Sequence, residues 1–197
     1  VVNVNQNALA EADALDEAFA KTGDLTGPLH GVPVLIKDCI ETEGVATTFG
    51  SIAFADYQAA ADATVVENLR AAGAVILAKS AMPDFATSWW GYSSVSGETR
   101  NPYALDRDPG ASSSGSGAGT AANLGAVSLG TDCGGSIRVP ASFNNLVGVR
   151  STPGLISRNG VGCLVFFQDT IGPLTRTVTD AALVFDALVG YDPDDSL

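Results

Sequence analysis

The chain is poor in the residues that build metal and redox centres. Its 197 residues include one histidine, His30, and three cysteines, Cys39, Cys133 and Cys163. The cysteines are far apart and form neither a CxxC pair nor a metal-ligand spacing. With a single imidazole to add to them, a zinc site is disfavoured. Reduced thiols in a cytoplasmic protein are the plain expectation. Positive charge is also scarce, 10 basic against 22 acidic residues, for a net charge of −12. Such a surface repels phosphate backbones, so nucleic acid is not expected as a direct partner. No apolar run reaches the roughly 18 residues that span a bilayer, and no signal-peptide pattern opens the chain. The first residue is Val1, not Met, which leaves room for an upstream segment.

Charged residues make up only 16% of the chain and hydrophobic ones 46%, which favours a buried core over disorder. What stands out is a Gly/Ser-rich stretch from Pro109 to Arg138, PGASSSGSGAGTAANLGAVSLGTDCGGSIR. Glycine lets other groups approach the backbone closely. Hydroxyls beside such backbone are candidate nucleophiles, and free N–H groups there are candidate oxyanion donors. A flexible linker shares this composition. A linker does not carry the apolar run 126–129 or lead straight into Ile137, Val139 and Val147.

Around this stretch the pattern alternates helix and strand. Ala8, Ala12, Leu15 and Phe19 recur at helical spacing within 5–21. Residues 32–36 read as a buried strand with Lys37 at its end; taken alone, that lysine is expected to snorkel to the surface. Asp62 is placed to cap a helix over 63–72, stopped by Gly73, and 74–78 follows as a strand. Residues 116–124 read as an Ala-rich helix, 126–131 and 146–149 as strands, and Thr179 as the cap of a helix ending at Val189. Trp89, Trp90 and Tyr92 line a pocket or pack in the core. The order predicts an α/β fold with parallel pairing, a mixed sheet and helices on both faces.

Several catalytic devices can be tested against the Gly/Ser stretch. A P-loop needs a lysine that is not there, since none follows Lys79. Residues 117–122 spell GxGxxA, a dinucleotide fingerprint, but no strand precedes them. Residues 111–115 nearly match GxSxG, yet the only histidine lies upstream, in a Gly/Pro loop. No lysine has a serine three residues before it, so SxxK is absent.

A serine activated by lysine remains, and here the residues resemble a family. The runs GPLHGVPVLIKD at 27–38, PGASSSGSG at 109–117 and GTDCGGSIRVPAS at 130–142 are similar to the amidase signature family. So are residues 62–86 and IGPLTRTVTDAA at 171–182. The resemblance covers nearly the whole chain and implies the N-terminal portion, 1–197, of a longer amidase domain. Exposed sheet edges or apolar surface are then expected where the remainder would pack.

The resemblance implies a hydrolase that cleaves a small-molecule amide with a Ser–cisSer–Lys triad and neither metal nor cofactor. It places the nucleophile at Ser136, the bridging serine at Ser112, preceded by a cis peptide, and the base at Lys37. It assigns oxyanion donors to the N–H groups of Cys133, Gly134 and Gly135, with Ser136 as a further candidate, and has Ser113 help hold Lys37. Asp132 and Arg138 are expected to pair and buttress the nucleophile loop. The family commonly has Gly where Ala111 and Ser114 stand, which leaves the loop shape open. Cys133 adjoins the nucleophile, but its side chain is not what aligns with attack. A homodimer is compatible with the resemblance. The alternatives are the amidase component of a glutamine-dependent amidotransferase and a non-catalytic member of the same fold. The chemistry explains the residue types: a serine hydroxyl needs a base, and lysine is a base only when neutral, which burial favours.

Overall fold

The computed structural model describes residues 1–195. Five strands form one mixed sheet: β1 (Pro33–Lys37), β2 (Val75–Ser80), β5 (Val127–Thr131), β6 (Val147–Gly148) and β7 (Ile171–Thr175), in the order β2-β1-β5-β7-β6. β1 pairs parallel with β2 and β5, whereas β5–β7 and β6–β7 are antiparallel. A two-strand ribbon, β3 (Tyr92–Ser93) with β4 (Gly97–Glu98), stands apart. The helices are α1 (Ala8–Thr22), α2 (Thr64–Ala71), α3 (Ser114–Ala121), α4 (Arg138–Phe143) and α5 (Val178–Leu188).

The period-two alternation of strand side chains splits the core into two layers. Val34, Ile36, Ile76, Val127, Leu129 and Ile171 join Val65, Val66 and Leu69 of α2 and Val184 and Leu188 of α5. Leu35 and Leu174 point the other way. There a Cβ on Gly119 of α3 would fall 2.6 Å from Leu35, and Leu174 packs with Ile137 and with Ala141 of α4. The α/β fold with helices on both faces is thus as expected. Lys37 is two residues beyond Leu35 and so ends the strand on the α3 side, buried rather than snorkelling.

α3 explains the Ser/Gly composition. A Cβ on Gly115 would lie 2.2 Å from the Ala81 nitrogen, so only glycine lets the helix sit this close. Its polar side chains are satisfied inward: Ser116 Oγ donates to the Leu129 carbonyl (2.9 Å), and Thr120 Oγ1 to Ser128 Oγ (2.8 Å). Residues 117–121 of the dinucleotide-like motif lie inside this helix and not in a strand-to-helix turn.

Some local expectations shift. α1 leaves Leu9 and Phe19 exposed and fully buries only Ala8. Asp62 does not cap α2; its carboxylate accepts from Glu43 N–H (2.7 Å) and Arg70 Nε (2.8 Å). α5 is capped by Thr177, whose hydroxyl accepts Asp180 N–H (3.1 Å), not by Thr179. Residues 2–5 cover the outer edge of β2 through Val2 N–H to Lys79 O, Lys79 N–H to Asn3 O and Asn5 N–H to Leu77 O. Apolar surface is left instead at Trp89, Trp90, Phe166 and Phe167. Among the described residues no helix is long and apolar enough to cross a membrane.

Candidate active site

The C-terminal ends of the parallel strands β1 and β5 carry the polar groups. Lys37 ends β1 and Thr131 ends β5. Lys37 Nζ donates to Ser112 Oγ (2.7 Å) and to Thr131 Oγ1 (2.8 Å), and all three side chains are buried. Burial lowers the Lys37 pKa, an effect that the neighbouring Cys39, Asp169 and Asp132 oppose. Ser112 sits just before α3, and the Ala111–Ser112 peptide is cis.

Ser113 does not hold Lys37, contrary to expectation. Its hydroxyl donates to the Thr131 carbonyl and accepts the Thr131 N–H, both at 3.3 Å. Glycine at 130 makes the room, since a Cβ there would lie 2.6 Å from Ser113 Oγ. Ser113 therefore fixes the end of β5, and Thr131 supplies the second contact to Lys37. Thr131 escaped the sequence reading because nothing local reveals that β5 adjoins β1.

Ser136 lies in the loop between β5 and α4. Its carbonyl accepts the Ser113 N–H (3.1 Å), which joins this loop to the serine pair. Its side chain is 9% exposed and lines an open cleft of about 460 Å³, with Ala86–Trp89, Cys133, Gly134 and Leu164. Among the described residues Ser136 Oγ makes no hydrogen bond, so only the Lys37–Ser112 step of the expected chain is closed. Hydrogen bonds of this kind are often loose without a bound substrate.

Asp132 organises the loop. Its buried carboxylate accepts Arg138 Nε and Nη2, both at 3.0 Å, and the N–H groups of Gly135 (2.6 Å), Ile137 (3.1 Å) and Arg138 (3.3 Å). Arg150 Nε lies 3.5 Å away. Burial alone would raise the Asp132 pKa; the Arg138 and backbone donors outweigh it and hold the group down at about 2. Arg138 is thus committed to Asp132, half-exposed at the rim.

This arrangement corrects one assignment. Gly135 N–H is turned into the Asp132 carboxylate and is not free for an oxyanion. The turn needs φ +125° at Gly135, where a side chain would be strained and would crowd Val139. The N–H groups of Cys133, Gly134 and Ser136 have no partner among the described residues, whereas that of Gly135 does. Trp89 packs over Gly134 and Gly135 and is 56% exposed, so it is a wall of the cleft and not core. Cys133 is partly exposed beside Ser136, and burial raises its thiol pKa. His30 lies in its loop, where Nδ1 accepts the Thr26 N–H (3.0 Å).

Known proteins share this sequence and arrangement. The chain is 49% identical over 191 residues to a glutamyl-tRNA(Gln) amidotransferase subunit of Moorella thermoacetica, covering 97% of the chain and 39% of that protein. It is 45% identical over 204 residues to a probable amidase of Arabidopsis thaliana, covering 99% of the chain and 40% of the relative. The crystal structure of the native peptide amidase of Stenotrophomonas maltophilia superposes with a TM-score of 0.95 at 44% identity, over 99% of this chain and 41% of that one. The chain spans about two fifths of the length of these proteins. The model of the Amidase family matches residues 1–197, and the chain belongs to that family.

Proposed function

We propose that the chain carries the catalytic centre of an amide hydrolase working through a serine acyl-enzyme. The observation that carries this reading is the buried, hydroxyl-bound Lys37 one serine away from a loop with three unpaired N–H groups. Neutral Lys37 takes the proton of Ser112 as Ser112 takes that of Ser136. Ser136 Oγ attacks the amide carbonyl carbon. The oxyanion is received by the N–H groups of Cys133, Gly134 and Ser136, each donor lowering the barrier by about 3 kcal/mol. Lys37 returns its proton through Ser112 to the leaving nitrogen, and the C–N bond breaks. Water then repeats the sequence on the acyl-enzyme and frees the acid. The cis-serine between base and nucleophile is the bridge in this scheme, and the substrate is a small linear amide.

Identity to a glutamyl-tRNA(Gln) amidotransferase component supports a second reading, in which the amide is glutamine and the ammonia is passed to a partner. Glutamine hydrolysis that appears only with a partner protein would select it.

The test is a fluorophosphonate adduct mapped by mass spectrometry on the full-length protein. The adduct is expected on Ser136 and absent from Ser136→Ala. An adduct on Cys133, or labelling that survives Ser136→Ala, would refute the assignment.

A further inference from the structure

Asp169 lies at the edge of the site and has no role in the scheme above. It is 3% exposed. Its Oδ2 accepts the Leu164 N–H (2.7 Å), whereas its buried Oδ1 has no hydrogen-bond partner among the described residues. Buried carboxylate oxygens without donors are rare and call for an explanation. The chain around Asp169 continues the antiparallel run of β7 against β5. Asp132 N–H donates to Thr170 O (2.8 Å), and Gln168 Nε2 donates to Cys133 O (3.0 Å). Asp169 is therefore opposite Cys133, two residues past Thr131, which touches Lys37 Nζ.

The charges around Lys37 single this carboxylate out. Lys37 is acted on electrostatically by Cys39, Asp169 and Asp132 and has no carboxylate within 4.0 Å among the described residues. Asp132 is already matched by Arg138 and Arg150. Asp38, behind β1, faces Lys79. Asp169 acts electrostatically on Lys37, Cys39, Cys133, Cys163 and Arg158, the titratable groups of this region. The Arg158 guanidinium is engaged by Asp195 at 2.6 Å and by the Phe166 carbonyl. Among the described residues Asp169 is thus the carboxylate beside the Lys37–Thr131 contact that lies in no ion pair.

We propose that Asp169 is a positioning residue for the base, the buried negative charge that stabilises Lys37 once it has taken the Ser136 proton through Ser112. The proposal rests on the reading of Lys37 as the base. It balances simply: one proton moves from Ser136 to Ser112 and one from Ser112 to Lys37, which becomes an ammonium; on collapse Lys37 returns one proton to Ser112 and Ser112 gives one to the leaving nitrogen. Burial makes Lys37 neutral enough to be a base, and Asp169 keeps it from becoming too weak an acceptor.

The experiment is the pH dependence of Ser136 labelling by a fluorophosphonate in the full-length protein, which reads the nucleophile without a substrate. Asp169→Asn keeps an acceptor for Leu164 N–H and removes the charge. Its acid limb should move to lower pH and its plateau rate should fall several-fold, and Asp169→Glu should bring the limb back toward the wild-type position. A slower Asp169→Asn with an unmoved limb would make Asp169 a loop residue only and overturn the proposal. If Asp169→Asn does not fold, Asp169→Ser replaces it. Failure of both to fold, read by circular dichroism, would make the residue structural and overturn the proposal as well. A wild-type protein labelled elsewhere than Ser136, or with no acid limb, would overturn the reading of the site itself.

Discussion

Lys37 ends β1 and Lys79 is the last residue but one of the adjacent parallel strand β2, and both side chains are fully buried. Their surroundings differ. Among the described residues Lys37 Nζ hydrogen-bonds only the hydroxyls of Ser112 and Thr131. Lys79 Nζ meets the Ile40 carbonyl, Thr47 Oγ1 (2.6 Å) and the Asp38 carboxylate at 4.0 Å. Burial lowers both pKa values, that of Lys79 to about 8 against the pull of Asp38. Burial alone therefore does not mark a base. A carbonyl cannot pass a proton on, and Lys79 has the Asp38 carboxylate at ion-pair distance whereas Lys37, among the described residues, has none. A hydroxyl relays protons in both directions, and the one that Lys37 meets, Ser112, adjoins Ser113, whose N–H donates to the Ser136 carbonyl.

This contrast can be broken by substitution in the full-length protein. Lys37→Ala should cost about 10³-fold in kcat at neutral pH. The loss should shrink in alkaline solution, where hydroxide partly replaces the base. A loss equal at every pH in a pH–rate profile would show that Lys37 is not the proton acceptor.

Ser112→Ala removes the relay and leaves the attacking atom. Turnover should fall by about 10²-fold while Ser136 still takes up a fluorophosphonate slowly. Groups that act as a unit are not additive, so Ser112→Ala/Lys37→Ala should be little slower than the slower single variant. Multiplying losses in the double variant would separate the two residues.

Lys79→Met should act on stability instead. It leaves Asp38 buried and unpaired and should cost about 3 kcal/mol in urea denaturation. Activity of the folded fraction should stay within a few-fold of wild type. The pH dependence has a definite sign. The folded pKa of about 8 lies below the unfolded 10.5, so the cost of burying the ammonium is full below pH 8 and is relieved as pH rises to 10.5. Lys79→Met should lose that rise in stability. Retention of the rise would assign it to another group.

The smallest effect is expected at Cys133→Ala. Only the backbone N–H of Cys133 enters the scheme, so labelling of Ser136 and most of the activity should persist. An inactive Cys133→Ala that still folds would point to the thiol.

The site residues were legible through the resemblance to a family and not through local pattern, which read Lys37 as a surface lysine and passed over Thr131. Apolar runs end in Lys37 and in Thr131, and the glycines crowd where α3 meets Ala81 and Leu35. Strand period and helix capping depend on neighbours a few residues away, so β1, β2, β5, α2 and α5 could be read to within a few residues. β7 and α4 were not, because Gly172, Pro173 and Pro140 break the local pattern while tertiary packing overrides it.

By itself the sequence determined the residue types and their order: a lysine after an apolar strand, a serine pair before a small-residue helix, and a Gly-Gly-Ser loop. These follow from local backbone preference and from burial of alternate side chains. Tertiary structure decided which partners those residues meet. Lys37 and Thr131 touch across 94 positions, Gly135 gives its N–H to Asp132, and Ser113 holds Thr131 and not Lys37. Hydrogen bonds are short and directional, so such choices rest on placement finer than any spacing along the chain can specify.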